Sequence, residues 1–343
     1  MNPFSYQRAT GIDAAVHSGV MQGAKFLGGG TNLVDLMRYD VEHPQTLIDV
    51  NHAGMDTIAP TGDGGLRIGA GVKNTAMAND RSMLAKYPLV SQAILNGASA
   101  QLRNMATTGG NLMQRTRCYY FMDTAFPACN KRMPGSGCAA LHGFNRIHAV
   151  LGQTDDGAKS PHTCIATNPS DMNVALYALD AAVEVTGPKG KRTIPVREFH
   201  RLPGNDPAMD TVLRPDELIV AVTLPAAAAK FASNSYYLKV RDRQSYAFAL
   251  VSVAAGVEMQ GSTIKSATLA LGGVAMKPWY SGEAVKALTG KPATEQTFKA
   301  AADAAMHGAH GYKDNAFKIE LAKLSIVRAL AIASQAAANK GVA

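Results

Sequence analysis

Four cysteines, Cys118, Cys129, Cys138 and Cys164, fall between positions 118 and 164 of a 343-residue chain that has no others. Thiols gathered this tightly point to disulfide, metal or redox chemistry. Their spacing is C-x10-C-x8-C-x25-C. Structural zinc sites usually present cysteine pairs about two to four residues apart, and small ferredoxins a close triplet. Neither pattern occurs, and a disulfide pair is open on count alone. Zinc, an iron-sulfur centre, and disulfides or free thiols therefore stand level at this point. His142, His148 and His162 share the window as substitute ligands for a zinc or mixed site, and are read as bystanders. Arg115, Arg117, Lys131 and Arg132 surround the first two cysteines. They either offset the negative charge of a cluster or form a solvated basic face.

A second chemistry lies in two glycine loops. In "AKFLGGGTNLVDLM" (24–37) a short apolar run precedes Gly28, Gly29 and Gly30, with Thr31 placed as a helix N-cap. Successive glycines permit positive φ and carry no Cβ, so backbone N–H groups can converge on phosphate oxygens. No Gly-Lys-Ser/Thr follows, and the G-x-G-x-x-G spacing fails at Leu33, so neither standard nucleotide motif is present. Taken alone, the loop reads equally as a tight strand-to-helix turn without a ligand. "ATTGGNLMQ" (106–114) repeats the pattern with Thr107, Thr108, Gly109, Gly110 and Asn111. Two such loops can clasp one dinucleotide from both sides. There is no G-x-S-x-G, H-E-x-x-H or His-centred triad, so no residue is assigned as catalytic acid, base or nucleophile.

The elements that must hold these loops are legible in outline. "TLIDV" (46–50) and "LRIGAGV" (66–72) read as strands and "YPLVSQAILNGAS" (87–99) as a helix, with turn-rich breaks at 59–65 and 132–137. Residues 165–187 run from Asn-Pro-Ser-Asp into a helix and then a strand; 217–225 is another strand, closed by Pro225. After an Ala-rich joint at 226–229, "YYLKVR", "YAFALVSVAAGVEM" and "TIKSATLALGG" form three β-runs at hairpin spacing, which places the start of a second domain near 230. In the last third, Phe317, Leu321, Leu324, Val327 and Ala331 recur at helical spacing and are expected to be the buried face. No fixed-period repeat is present, and only the Ala-rich tail is of low complexity.

Bulk composition excludes some classes. At 36.1 kDa and 47% hydrophobic, the chain can bury a substantial core. Its longest strongly apolar run, 247–257, is well short of the roughly 18 residues needed to span a bilayer, so no membrane span is expected. The N-terminus lacks a basic segment followed by an apolar one, so export is expected to need a carrier. Net charge is +8 with a pI near 9.3, yet the basic residues are dispersed and no nucleic-acid motif appears. The surplus suits an anionic cofactor or an acidic partner surface.

"KFLGGGTNLVDLM", "RNMATTGGNLMQRTRC", "NPSDMNVAL" and "YLKVRDRQSYAFALVSVA", in this order, resemble the FAD-binding subunits of the xanthine oxidase family of molybdenum hydroxylases. With the cysteine insertion, the chain looks most like the FAD subunits of bacterial periplasmic aldehyde oxidoreductases, which carry an additional 4Fe-4S cluster. The resemblance covers nearly the whole chain. It implies an α+β fold: a two-part FAD-binding domain of the vanillyl-alcohol-oxidase-like (PCMH) type over 1–225, with an iron-sulfur insertion at 118–164. A C-terminal domain of a small antiparallel sheet and helices over 230–338 would resemble that of the CO dehydrogenase flavoprotein.

The resemblance also implies site residues. Lys25, Phe26, Leu27, Gly28, Gly29, Gly30, Thr31, Asn32 and Leu33 would wrap the FAD pyrophosphate, and Thr107, Gly110 and Asn111 would form the second clasp. Asp171 would accept hydrogen bonds from sugar or ribityl hydroxyls, although a helix N-cap role is equally natural for it. Ile219 and Lys239 match further flavin-contacting positions. Lys239, in a β-run with Arg241 and Arg243, would stabilise the reduced flavin or else belong to a solvated strand face. Cys118, Cys129, Cys138 and Cys164 would be the four thiolate ligands of the cluster, with the insertion folding around it.

The function so implied is electron transfer. Electrons would pass from a large molybdenum subunit through a small subunit with two 2Fe-2S clusters to this chain, and from its flavin to an external acceptor. A 4-hydroxybenzoyl-CoA reductase-like complex is the runner-up, because its flavin subunit carries a comparable insertion. A stand-alone FAD-dependent oxidoreductase and a zinc-braced scaffold are rivals from other classes. The aldehyde oxidoreductase branch implies a periplasmic complex exported on a partner's signal; otherwise the complex is cytoplasmic.

Overall fold

The glycine loops hang from two sheets. In a computed structural model, described here for residues 1–335, Ser5–Arg8 (β1), Ala24–Leu27 (β2) and Thr46–Asp49 (β3) form a parallel sheet in the order β1-β3-β2. Ile58–Pro60 (β4), Leu66–Gly69 (β5), Ala182–Gly187 (β6), Gly190–Pro195 (β7) and Leu218–Leu224 (β8) form an antiparallel sheet in the order β4-β5-β8-β6-β7. The sequence of β8, Leu-Ile-Val-Ala-Val-Thr-Leu, is almost unbroken apolar because the strand is central and covered on both faces. The cysteine window leaves between these pieces as a loop-rich excursion, with one short helix, Tyr119–Met122, and isolated bridges Cys129–Cys138 and Thr154–Cys164.

Ser235–Val240 (β9), Val251–Gln260 (β10), Thr263–Gly272 (β11) and Trp279–Tyr280 (β12) form a second antiparallel sheet in the order β12-β11-β10-β9. Its two faces serve two cores. Val251, Val253, Ala255 and Val257 point into the C-terminal core with the helices Gly282–Leu288, Glu295–Ala305 and Phe317–Gln335. Ala254 of β10, with Ala270 of β11 and Tyr237 of β9, joins the core of the first part, as the period-two alternation of a strand requires. Contact there is close: a Cβ at Gly272 would come within 2.6 Å of Val174 in the helix Asp171–Ala178.

Two expectations are corrected. The run from Tyr246 is not strand from its start; β10 begins at Val251, and 246–250 is loop. Tyr246 has φ 53°, a left-handed conformation that cannot continue a strand. On the last helix, Phe317 and Leu324 are exposed, Leu324 by 67%, and Leu321, Val327 and Ala331 are only partly covered. The buried face is Lys318, Ala322, Ser325, Ile326, Ala329, Leu330 and Ala333. This set has the same helical period. It wins because alanine on the contact line lets the helix close onto β10, while Lys318 at its start donates to the carbonyls of His148 (2.8 Å) and Gly273. Burial first, then Arg146, pushes that ammonium down to about 7. The Ala-rich tail from 336 lies outside the described residues.

Truncating Ile326 to Ala is expected to cost about 2–5 kcal/mol through transfer and cavity terms, whereas Leu324→Ala is expected to stay within about 0.5 kcal/mol. Urea unfolding of the two variants checks which face is buried.

Candidate flavin and thiol sites

β2 delivers the first glycine loop directly against the second. A Cβ at Gly28 would lie 2.6 Å from Thr107 Oγ1, and one at Gly29 would collide with the backbone carbonyl of Met105; Gly30 has φ 71°. Two of these glycines are thus set by loop-to-loop packing and the third by its dihedral. Asn51, just past β3, locks the loop by donating to Gly28 O at 3.0 Å, and Lys73 donates to Asn51 Oδ1 at 3.0 Å and to Met105 O at 3.2 Å. The N–H groups of Gly28 through Asn32 have no hydrogen-bond partner among the described residues. Asn32 Nδ2 is a buried donor that is likewise unpartnered. Consecutive free donors are what an anionic diphosphate requires.

Two clefts meet at this loop. The first, about 380 Å³, is lined by Lys25, Phe26, Leu27, Gly28, Gly29, Gly30, Thr31, Asn32 and Leu33, by Thr107 and Gly110, and by Ile219. The second, about 700 Å³, lies between the first part and the C-terminal sheet and is lined by Asn111, Asp171 and Lys239. Gly30, Thr31, Asn32 and Gln114 border both. Asn51, Gln114 and His200 are cleft residues that sequence reasoning missed. Only Asn51, a polar residue following directly on a buried strand end, left a signal.

The capping expectations change. Thr31 is not an N-cap: the helix Leu33–Arg38 follows Asn32, whose side chain makes no cap bond and accepts instead from Arg115 N at 3.0 Å. Ser170, not Asp171, caps the helix Asp171–Ala178 by accepting from Asn173 N at 3.2 Å. Asp171 accepts from Tyr237 Oη and Lys239 Nζ, both at 2.7 Å. A carboxylate has about four lone-pair sites, so it can still take a ligand hydroxyl. Lys239 is fully buried and also donates to Asn96 O at 3.0 Å, which rules out a solvated strand face.

All four cysteines are buried and free, and line one small cavity. Burial pushes the Cys118 and Cys138 thiols up, Cys138 to about 12, and the neighbouring cysteines add to the rise. Burial also raises Cys164, with Lys131 opposing it. Among the described residues no group of three or more His, Cys, Asp or Glu is arranged to hold a metal ion. His142 is exposed, and His162 Nδ1 lies 3.2 Å from Asn205 O. His148, by contrast, touches the thiols: its Nε2 lies 3.1 Å from Cys118 Sγ. Nor do the basic flanks form a solvated face. Arg117 pairs with Asp35 at 2.6 Å, Arg132 donates to the carbonyls of Tyr120 and Phe121, and the half-buried Arg115 and buried Lys131 are held in ion pairs.

Similarity to known proteins can now be set beside this geometry. Residues 2–227 match the family described as FAD binding domain in molybdopterin dehydrogenase, and residues 236–333 match the CO dehydrogenase flavoprotein C-terminal domain. The chain is 50% identical over 333 residues to the aldehyde oxidoreductase FAD-binding subunit PaoB of Escherichia coli, covering 96% of this chain and 98% of that one. It is 24% identical to the carbon monoxide dehydrogenase medium chain of Afipia carboxidovorans, covering 98% of each. Among solved structures, quinoline 2-oxidoreductase from Pseudomonas putida superposes with a TM-score of 0.73 at 22% identity, covering 98% of each chain, a likeness of fold alone.

Gly29→Ala is expected to force the two loops apart and weaken FAD binding by about tenfold or more, equivalent to about 1.4 kcal/mol; titrating deflavinated protein with FAD measures it. His200 gives a pH prediction. Burial holds its imidazole at about 4, against the Leu112 carbonyl. The unfolded chain, near 6.5, therefore takes up the proton first. Stability is full above pH 6.5 and is lost as pH falls toward 4, by on the order of 3 kcal/mol. Unfolding free energies across that window should fall less steeply in His200→Gln than in the unaltered protein.

Proposed function

This chain belongs to the FAD-binding subunits of the molybdenum hydroxylases, and from that membership we propose that it is the electron-passing subunit of an aldehyde oxidoreductase-type complex, carrying both FAD and a 4Fe-4S cluster. The observation that carries the flavin reading is the joint between the two clefts. A dinucleotide needs a phosphate grip in the middle and room on both sides, and Gly30, Thr31 and Asn32 border both spaces. Lys25 through Leu33 hold the diphosphate with backbone donors, Thr107 and Gly110 close over it, and Ile219 packs in the first cleft. Asn111, Asp171 and Lys239 belong to the flavin end. The Lys239 ammonium, fixed by Asp171, places a cation where negative charge would develop on a reduced ring. Bound FAD supplies the exchange between one-electron and two-electron carriers.

The thiol cavity supports the cluster. Burial first, and neighbouring cysteines second, raise the Cys118 and Cys138 thiols, so thiolates there call for a cationic centre. Four thiols lining one cavity suit a polynuclear centre, in which each sulfur would bind a different iron. A 4Fe-4S cluster supplies one-electron chemistry at a potential set by nearby charge and hydrogen bonds; Lys131 and His148 are the residues placed to provide these.

In this reading the partners are a large molybdenum subunit, a small subunit with two 2Fe-2S clusters and an external acceptor, in a heterotrimer delivered to the periplasm by a signal on another chain. The 50% identity to a subunit named for aldehyde oxidoreductase favours this over the 4-hydroxybenzoyl-CoA reductase alternative. No described helix is long and apolar enough to cross a membrane. Anaerobic purification with flavin, iron, sulfide and zinc assays tests the proposal. The expected result is co-purifying molybdenum protein with about one FAD and about eight irons per heterotrimer, roughly four in this chain and four in the small subunit. Stoichiometric zinc, or a colourless protein, would refute it.

A further inference from the structure

We propose that Lys131, Asp210 and Arg115 form a charge bridge, buried at its lysine end, that couples the cysteine cavity to the flavin cleft, so that a change of charge at the thiol end alters the grip on FAD at the other. The inference rests on the two-cofactor reading above for its redox consequence, but not for its effect on flavin binding.

Lys131 lines the cysteine cavity and does not line the flavin cleft; Arg115 lines the flavin cleft and not the cavity. Asp210 joins them, one oxygen to each: Lys131 Nζ donates to Oδ1 at 2.6 Å and Arg115 Nε to Oδ2 at 2.8 Å. The Lys131 side chain is 1% exposed, and its other oxygen partner is the carbonyl of Pro207 at 2.8 Å. Arg115 is held further by Glu42 Oε1 at 2.6 Å and lies over the Phe121 ring at 4.7 Å; Glu42 in turn lies 3.7 Å from Lys25. The result is an alternating row, Lys25, Glu42, Arg115, Asp210, Lys131, running from the glycine loop to the thiols. Arg115 also ties the row to the phosphate grip through its backbone, which donates to Asn32 Oδ1.

Such a row transmits because Asp210 stands between two cations and commits one carboxylate oxygen to each. Burial alone would raise the Asp210 carboxyl, yet Lys131 and Arg115 hold it below the usual carboxylate range. Neutralising Lys131 leaves Asp210 to Arg115 alone, drawing the guanidinium and the attached Asn32 out of position. The same changes act on the thiol cavity with opposite signs. Removing the Lys131 charge makes the cavity less positive, which favours an oxidised cluster. Removing the Asp210 charge leaves Lys131 uncompensated, which favours a reduced one.

The test uses the full-length chain in its complex, with FAD titrated into deflavinated protein and the iron-sulfur centre followed in a redox titration. Lys131→Met and Asp210→Asn should each weaken FAD binding by about tenfold, and the cluster potential should fall in the first and rise in the second. Lys131→Arg, which keeps the charge, should stay within about twofold of the unaltered protein in FAD affinity. If Lys131→Met fails to fold, Lys131→Gln carries the same measurement. The bridge is overturned if neutralising Lys131 leaves FAD affinity within about twofold, or if both variants shift the potential in the same direction. An unaltered complex with only the roughly four irons of the small subunit's clusters would sink the cluster reading instead, and FAD affinity in the Lys131 variants alone would then judge the bridge.

Discussion

Everything on the flavin side depends on two stretches of backbone lying in contact. The loop after β2 and the segment Met105–Thr107 approach so closely that side chains at Gly28 and Gly29 are excluded. Because they touch, the unpaired N–H groups of the first loop are held in place against the second. The hydrogen bonds that Asn51 and Lys73 make around this contact hold it in register, so the donors are arranged before any ligand arrives. Preorganisation of this kind lowers the ordering cost of binding.

The second constraint is the division of one sheet between two cores. β10 places alternate residues into the C-terminal helices and into the first part of the chain, so the second cleft is walled by elements that share continuous packing. A buried ion pair at the cleft wall, Lys239 with Asp171, joins a residue of β9 to the helix that follows the cysteine window. The charge that would meet the flavin is thereby fixed by the same contact that closes the two parts.

Local patterns were legible where chemistry is local. The glycine runs, the isolated cysteines and the strands around β8 can be read because residue type at short spacing determines them. The buried face of the last helix could not be read this way: apolar residues occur around much of its circumference, and close approach of alanine to a sheet selected a face that side-chain size argued against. Thr31 and Asp171 misled as caps because a neighbouring residue, Asn32 or Ser170, takes the capping position. Asp210 carried no signal, since its partners lie 79 and 95 residues away in sequence and only the fold brings them together.

The thiol cavity is lined by residues 116–166 alone, but the apolar cluster that backs it draws on three parts of the chain. Its apolar surround includes Leu36 from beside the glycine loop and Met276 from beyond β11, as well as residues of the insertion itself. During synthesis the cysteines leave the ribosome well before Met276 does. The cavity's own lining is therefore synthesised early, while the apolar backing behind it is complete only once Met276 has been made.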